Sequence, residues 1–137
     1  MGKIICLDVG TVRIGIATSD VMQVALPHSV YKRRTPYLDA KYIADLAKSL
    51  DAQKFVIGMP LKLDGSEGTS AQMAKDFAES LQKLIDLPIE FQDERLSTVS
   101  AERILLETNT SRKDRKGKID QIAATIILQN YLDKHNR

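Results

Sequence analysis

The chain has 137 residues, of which 43% are hydrophobic and 28% charged, a balance typical of one compact domain covering residues 1–137. Its 20 lysines and arginines almost balance 18 acids, so the net charge of +2 indicates no particular partner, and the single cysteine, Cys6, excludes an internal disulfide. No apolar stretch reaches the ~18 residues of a membrane span, which predicts a cytoplasmic protein with no membrane contact.

The first half of the chain predicts three antiparallel strands and a helix. Residues 3–9 are apolar apart from one carboxylate, apolar residues alternate along 12–16, and a third strand is expected over 24–31. Thr35 and Pro36 have the pattern of an N-cap and a first helical residue, and apolar residues at helical spacing follow them.

The second half predicts parallel strands alternating with helices. Strands are expected at 55–59 and 89–92, separated by an ordered turn or mobile loop at 60–70 and by a helix that ends before Pro88. A third helix capped by Ser97 or Thr98, a basic loop at 108–118 and a last helix to about Leu132 complete the chain. The expected fold is α/β, with a mixed five-stranded sheet, three antiparallel strands and then parallel strands, flanked by helices.

Acidic residues stand where the predicted core should be. Asp8 is the only charged residue in the interior of the first strand, where an unpaired carboxylate would cost several kcal/mol. Asp93 and Glu94 directly follow the last strand and alternate between its faces, so the sequence leaves open which of them lies with Asp8. Asp120 is predicted to begin the last helix at the border of an apolar stripe. Because ligands of open α/β sheets bind at the carboxyl ends of strands, three of these acids could converge there.

Such a cluster repels itself unless a cation neutralises it. An all-oxygen ligand set with no neighbouring histidine or cysteine favours Mg²⁺ or Mn²⁺ over zinc. Two such ions about 4 Å apart can activate water and stabilise the leaving oxygen in phosphodiester hydrolysis, so the pattern predicts a nuclease. Each acid alone also has a structural interpretation: a buried hydrogen bond for Asp8, a solvated turn for Asp93 and Glu94, and a first-turn acid favoured by the helix dipole for Asp120.

Candidate phosphate ligands flank these acids. Gly10 and Gly15 let the backbone approach a phosphate and Thr11 offers a hydroxyl, although a plain hairpin turn explains these residues equally well. Arg95 could hold a phosphate or neutralise the adjacent acids. The basic loop beside Asp120 is expected to contact a nucleic-acid backbone, and it contains Arg112, Lys113, Arg115, Lys116 and Lys118. An aromatic content of 5% gives no sign of a base-stacking platform.

Four segments of the chain resemble the YqgF family, also called RuvX. They run in order from Leu7 to Ala124: Leu7–Thr11 with Ile14–Ala17, then Val56–Gly68, Asp93–Thr98 and Lys116–Ala124. The resemblance implies an RNase H-like fold similar to that of the RuvC Holliday junction resolvases. It also implies a nuclease acting in 5′ maturation of the small-subunit ribosomal RNA precursor, with structured RNA as substrate, branched DNA as the alternative, and ribosomal precursor particles as partners.

The resemblance assigns roles to the acids. Asp8 is similar to the first-strand aspartate that bridges the metals, Glu94 to the second acid, with Asp93 as the reserve, and Asp120 to the last-helix aspartate. RuvC-like enzymes carry one further acid a turn away on the last helix, where this chain has Gly117 and Ala123. With three acids, we expect a weakly held second metal that the substrate phosphate completes.

Two other interpretations remain open from the sequence. The segment from Asp8 to Thr11, followed by Gly15, also resembles the first phosphate loop of the actin, Hsp70 and sugar-kinase group, but those proteins enclose ATP between two domains. A non-catalytic nucleic-acid or nucleotide-binding module of the same fold would explain the missing fourth acid. Either a monomer or a weak homodimer is compatible with the sequence, although symmetric cutting of a four-way junction needs two sites related by a twofold axis.

Overall fold

A computed structural model describes residues 2–20, 22–62, 64–94 and 112–135. In the last helix it describes the side chains from residue 119 onward. The described residues form five strands with helices on both sides. The strands are β1 (Lys3–Val9), β2 (Arg13–Ser19), β3 (Ala25–Lys32), β4 (Ala52–Met59) and β5 (Ile89–Asp93). The helices among the described residues are α1 (Pro36–Ser49), α2 (Thr69–Gln82) and α3 (Arg112–His135). The helix predicted after Ser97 or Thr98 lies outside the described residues.

The strands form one mixed sheet in the order β3-β2-β1-β4-β5. β1, β2 and β3 pair antiparallel, whereas β4 pairs parallel with β1 and with β5. The predicted α/β class and mixed five-stranded sheet are confirmed. Because β1 and β3 are both antiparallel to β2, the carboxyl ends of β1, β3, β4 and β5 lie at one edge of the sheet, which we call the C-terminal edge.

Each face of the sheet has its own core. Ile5 and Leu7 of β1 and Phe55 and Ile57 of β4 pack under α1 and α2. Residues of the opposite parity, such as Cys6 and Val56, pack under α3. The single cysteine is fully buried and free, as its place in an apolar run predicts. No helix in the described ranges is long and apolar enough to cross a membrane.

The last helix begins earlier than the sequence predicted. The expected loop at 108–118 is wrong for residues 112–118, which form the first two turns of α3. Lysine and arginine are good helix formers, and one interior glycine costs only about 1 kcal/mol, so Gly117 does not stop the helix. Asp120 therefore lies two turns inside the helix rather than at its start. The apolar stripe expected from the sequence consists of residues 119, 122, 123, 126 and 127, whereas the buried residues of α3 are Ala123, Ala124, Ile127, Leu128, Tyr131 and Leu132.

One buried carboxylate connects α1 to the C-terminal edge. Thr35 caps α1 as predicted, accepting a hydrogen bond from the amide of Leu38. In the first turn, Asp39 is 1% exposed and accepts hydrogen bonds from the Tyr31 hydroxyl (2.8 Å), Arg33 Nε (2.9 Å) and the Arg34 amide (2.8 Å). Arg33 also donates to the carbonyl oxygen of Gly10 at 3.0 Å, so this network holds the turn that follows β1.

Replacing Asp39 with asparagine is expected to lower the free energy of unfolding by roughly 2–4 kcal/mol at pH 7, because it leaves the half-buried Arg33 without its ion partner. Burial alone would raise the pKa of Asp39, but the hydrogen bonds from Arg34, Arg33 and Tyr31 outweigh it and lower that pKa below 3.8. The stabilisation is therefore present above about pH 4 and lost as the pH falls further, so wild type and variant should converge in acid. Urea unfolding between pH 3 and pH 7 measures this difference.

Asp45→Asn is the matched control on the same helix. Its carboxylate forms an exposed pair with Lys41, and its loss should change the stability by less than about 0.5 kcal/mol. Equal effects of the two substitutions would show that the Asp39 network does not stabilise the fold.

Candidate active site

Asp8 lies near the end of the central strand and on the face that α3 covers. Side chains alternate along β1, so Asp8 shares its face with Cys6, whereas Leu7 and Val9 belong to the core under α1 and α2. Asp8 stands directly opposite Gly15 of β2. The residue is half-buried at the C-terminal edge, where a polar side chain is reachable from solvent but poorly hydrated.

Glu94 approaches Asp8 from the other side of β4. Its amide continues the β5 ladder by donating to the carbonyl oxygen of Met59 at 3.2 Å. A Cβ placed on Gly58 would lie 2.4 Å from Glu94 Oε2 and 2.9 Å from Ile127 Cδ1, so the glycine leaves the space that the carboxyl group occupies under α3. Asp93 pairs with Met59 and, by alternation, faces away from Asp8. The structure therefore brings Glu94, and not Asp93, to the α3 side of the sheet.

The two carboxyl groups are hydrogen-bonded to each other. Burial, together with the Asp8 charge and the hydrogen bond to Asp8, raises the pKa of Glu94 to about 9. Burial also raises the pKa of Asp8 to about 6, although the hydrogen bond from Glu94 opposes this and the nearby Asp120 charge adds to it. At neutral pH the Glu94 carboxyl consequently carries a proton and donates it to the Asp8 carboxylate, because two bare carboxylates in this place would repel.

Asp120 reaches the pair from α3 through an unusually close packing of helix on strand. A Cβ on Gly15 would lie 2.0 Å from the carbonyl oxygen of Asp120 and 2.5 Å from its carbonyl carbon. Only glycine fits there, and its absence of a side chain lets the backbone of α3 rest on β2 opposite Asp8. The Asp120 carboxylate accepts a hydrogen bond from Arg13 Nε at 2.7 Å in a half-exposed ion pair.

At the C-terminal edge, the Asp8 and Glu94 carboxyl groups are hydrogen-bonded to each other, and the charge of Asp120 on α3 lies near enough to raise the pKa of Asp8. Among the described residues, however, no group of three or more histidines, cysteines, aspartates and glutamates is arranged to hold a metal ion. The protonated Glu94 carboxyl is hydrogen-bonded to Asp8, and the Asp120 carboxylate is hydrogen-bonded to Arg13. The donor chemistry, oxygen only, fits Mg²⁺ or Mn²⁺, and the charges that a cation would neutralise are here neutralised by a proton and by a guanidinium.

The remaining candidate residues are placed less closely. Gly10 donates its amide hydrogen to the carbonyl oxygen of Arg13 at 2.9 Å and closes the β1–β2 hairpin, with Thr11 exposed at its tip. Arg95 lies outside the described residues, and so do the side chains of the basic set on α3. The structure locates that set on the helix turns immediately before Asp120: Arg112, Lys113, Arg115, Lys116 and Lys118.

Sequence reasoning missed two contributors. Arg13 was read only as the polar position of an alternating strand, yet it is the ion partner of Asp120. Gly58 lies in an apolar run and in the segment Val56–Gly68 that carries the family resemblance, but neither signal connects it with Glu94. Such residues are recognisable only after the packing of α3 on the sheet is known.

Comparison with known proteins assigns the chain to a family. The sequence profile of RuvX, described as Holliday junction resolvase, matches residues 2–134. The chain belongs to the RuvX family. Relatives named "Putative pre-16S rRNA nuclease" include one from Halothermothrix orenii, 46% identical over 136 residues and covering 98% of this chain and 97% of the relative. Another, from Roseobacter denitrificans, is 48% identical over 137 residues, covering 98% and 84%.

Solved structures similar to this RuvX chain include RuvC of Thermus thermophilus in complex with a Holliday junction, with a TM-score of 0.64 at 10% identity, covering 99% of this chain and 96% of that one. The fowlpox virus resolvase bound to Holliday junction DNA has a TM-score of 0.59 at 10% identity, covering 98% and 99%. These similarities confirm the expected RNase H-like fold.

Proposed function

We propose that this chain is a divalent-metal-dependent nuclease that hydrolyses phosphodiester bonds of the 16S ribosomal RNA precursor. The observation that carries the proposal is the half-buried, hydrogen-bonded pair of Asp8 and Glu94 near Asp120 at the C-terminal edge. A carboxyl group whose pKa is raised to about 9 lowers the stability of the folded domain at neutral pH. Strongly shifted pKa values of this kind cluster at functional sites. Family membership and the names of the relatives favour the reaction and the RNA substrate over other uses of the cluster.

In this proposal Asp8, Glu94 and Asp120 are both the catalytic residues and the metal ligands. Mg²⁺ or Mn²⁺ bound among them would neutralise the carboxylates, activate a water and stabilise the leaving oxygen. Glu94 must release the proton that it shares with Asp8 before both can act as ligands. Gly15 and Gly58 fix the approach of α3 and of Glu94, and Arg13 holds the Asp120 carboxylate in place.

The nucleic-acid contacts complete the proposal. Gly10 and Thr11 lie two and three residues after Asp8, at the turn where a phosphate would approach the site. Arg95 and the basic residues on the first turns of α3 lie next to Glu94 and Asp120 in the sequence, and we assign them to the phosphate backbone. Ribosomal precursor particles as partners, and action as a monomer or weak homodimer, belong to the same proposal.

The test compares two substrates under one set of conditions. Wild-type protein is incubated with a 16S precursor RNA carrying its 5′ extension and with a four-way DNA junction, each in Mg²⁺, in Mn²⁺ and in EDTA. The proposal predicts metal-dependent cleavage of the RNA within its 5′ extension. Cleavage confined to the DNA junction would identify a resolvase instead, and binding of either substrate without cleavage in any metal would indicate a non-catalytic module.

A further inference from the structure

A second feature lies along the same sheet edge, away from the carboxylates. A groove of about 640 Å³ runs between the end of β3 and α1. Lys32, which lines it, stands directly opposite Arg13 in the β2–β3 register, and Arg13 is the partner of Asp120. Cross-strand neighbours lie about 5 Å apart, so the groove begins one strand away from the candidate active site.

The wall of the groove carries a pair of stacked tyrosines. The rings of Tyr31 and Tyr42 are 4.4 Å apart between centroids and inclined by 23°. Tyr31 is fixed by the hydrogen bond from its hydroxyl to the buried Asp39, whereas Tyr42 is 42% exposed. The aromatic content gave no sign of this pair, because the two rings are 11 positions apart in the sequence and only the packing of α1 on β3 brings them together.

The charges of the groove favour an anion. Four cationic residues and one acid line it. Arg33 is occupied by Asp39 and Gly10, and Lys41 is paired with the acid, Asp45. The side chains of Lys32 and Arg34 form no ion pair with any residue that the structure describes. Exposed cations beside an exposed aromatic ring are the combination that binds single-stranded nucleic acid, where the ring stacks on a base and the cations meet phosphates.

We propose that this groove binds an unpaired nucleotide segment of the RNA substrate, next to the bond that is cleaved. A base stacks on Tyr42, and the adjoining phosphates lie at Lys32 and Arg34. The inference rests on the proposed function for the identity of the strand, and it adds a binding subsite on the opposite side of Arg13 from the carboxylates. Such a subsite would fix the distance between the unpaired segment and the cleaved bond.

Binding measured without cleavage tests the groove by itself. Fluorescence anisotropy of a labelled single-stranded oligoribonucleotide of about eight nucleotides is followed in EDTA over a series of salt concentrations. Tyr42→Leu should weaken binding about tenfold or more and leave the salt dependence unchanged, since stacking is lost and phosphate contacts remain. Lys32→Gln combined with Arg34→Gln should reduce the slope of log affinity against log salt by about 1.4, corresponding to two phosphate contacts.

Two matched controls separate the ring from the fold. Tyr42→Phe retains the aromatic face and should bind as wild type, and Tyr37→Leu, a 60% exposed residue of the same helix that does not line the groove, should also bind as wild type. Thermal unfolding of every variant identifies any loss that is due to misfolding.

The outcomes distinguish this inference from the proposed nuclease function. Wild-type affinity in Tyr42→Leu, or an unchanged salt slope in the double variant, overturns the groove even if the protein cleaves RNA. A poly-glutamate peptide that displaces the oligoribonucleotide equally well from wild type and from Tyr42→Leu would also overturn the groove as an RNA site. The groove would then be a docking surface for an acidic protein. Binding that depends on Tyr42 in a protein that cleaves no RNA supports the groove and counts against the nuclease.

Discussion

Glu94→Gln is expected to abolish cleavage and, in the absence of metal, to make the protein more stable. Glutamine keeps the shape of the side chain and a hydrogen bond to Asp8 but cannot become a charged ligand, so the cleavage rate should fall by about 100-fold or more. Addition of Mg²⁺ should raise the melting temperature of the wild type and have no such effect on the variant, because only a protein that binds the ion gains stability from it.

The gain in stability follows from the pKa of Glu94. The folded protein holds the Glu94 proton up to about pH 9, whereas the unfolded chain releases it near pH 4.5. Between these values the folded state binds more protons, so its stability falls as the pH rises. Glutamine does not titrate, so the variant lacks this loss of stability. Relative to wild type, its free energy of unfolding should be higher by roughly 1–3 kcal/mol at pH 8 in EDTA and unchanged below pH 4.

Asp93→Asn is the control, one residue earlier and on the opposite face of β5. It should retain cleavage and show a much smaller change in stability at pH 8. If Asp93→Asn abolishes cleavage and Glu94→Gln does not, the second acid of the site is Asp93, and the assignment of faces at the end of β5 is incorrect.

Gly15→Ala has the second large expected effect. Its Cβ would lie 2.0 Å from the Asp120 carbonyl oxygen, far inside any contact that backbone atoms tolerate, so α3 must move away from β2. We expect a loss of roughly 2–4 kcal/mol in the free energy of unfolding. A displacement of about 1 Å also separates Asp120 from Asp8, and misplacement of that size can cost about 100-fold in rate. Urea unfolding and cleavage kinetics measure the two effects on one sample.

Gly68→Ala is the matched substitution. Its Cβ would meet only the flexible end of the Lys62 side chain, at 3.0 Å, at the N-cap of α2. Stability should change by less than about 1 kcal/mol, and cleavage should be unaffected. A Gly15→Ala protein with wild-type stability and activity would show that α3 does not depend on this contact for its position.

Local signals explain which parts of the fold were predictable. Thr35 and Pro36 define the start of α1 through capping and the fixed φ of proline, which operate within one turn. The apolar run at residues 3–9 predicted a buried strand with one carboxylate, and Asp8 indeed lies in the central strand. The start of α3 was missed because its basic residues resemble a solvated loop in composition, although lysine and arginine favour helices.

Long-range packing explains what was not predictable. The choice between Asp93 and Glu94 depends on which face of the sheet at the end of β5 lies under α3, and on that face Glu94 occupies the space beside Gly58. The partnership of Arg13 with Asp120 joins residues 107 positions apart. Arg33 stands between two other basic residues in the sequence, yet it pairs with the buried Asp39 and its guanidinium lies 5.7 Å from the centroid of the Phe77 ring. No local pattern encodes any of these contacts.

The proposed function requires that Asp8, Glu94 and Asp120 form one metal-dependent site for phosphodiester hydrolysis. The most direct test is the single-turnover rate of cleavage of the 5′-extended 16S precursor RNA by Asp8→Asn beside wild type, at saturating Mn²⁺ and with equal RNA binding verified. We expect the rate to fall by about 1,000-fold or more, because Asp8 is one of the proposed metal ligands and hydrolysis depends on the bound metal ion. An Asp8→Asn protein that cleaves at the wild-type rate would contradict the proposed function.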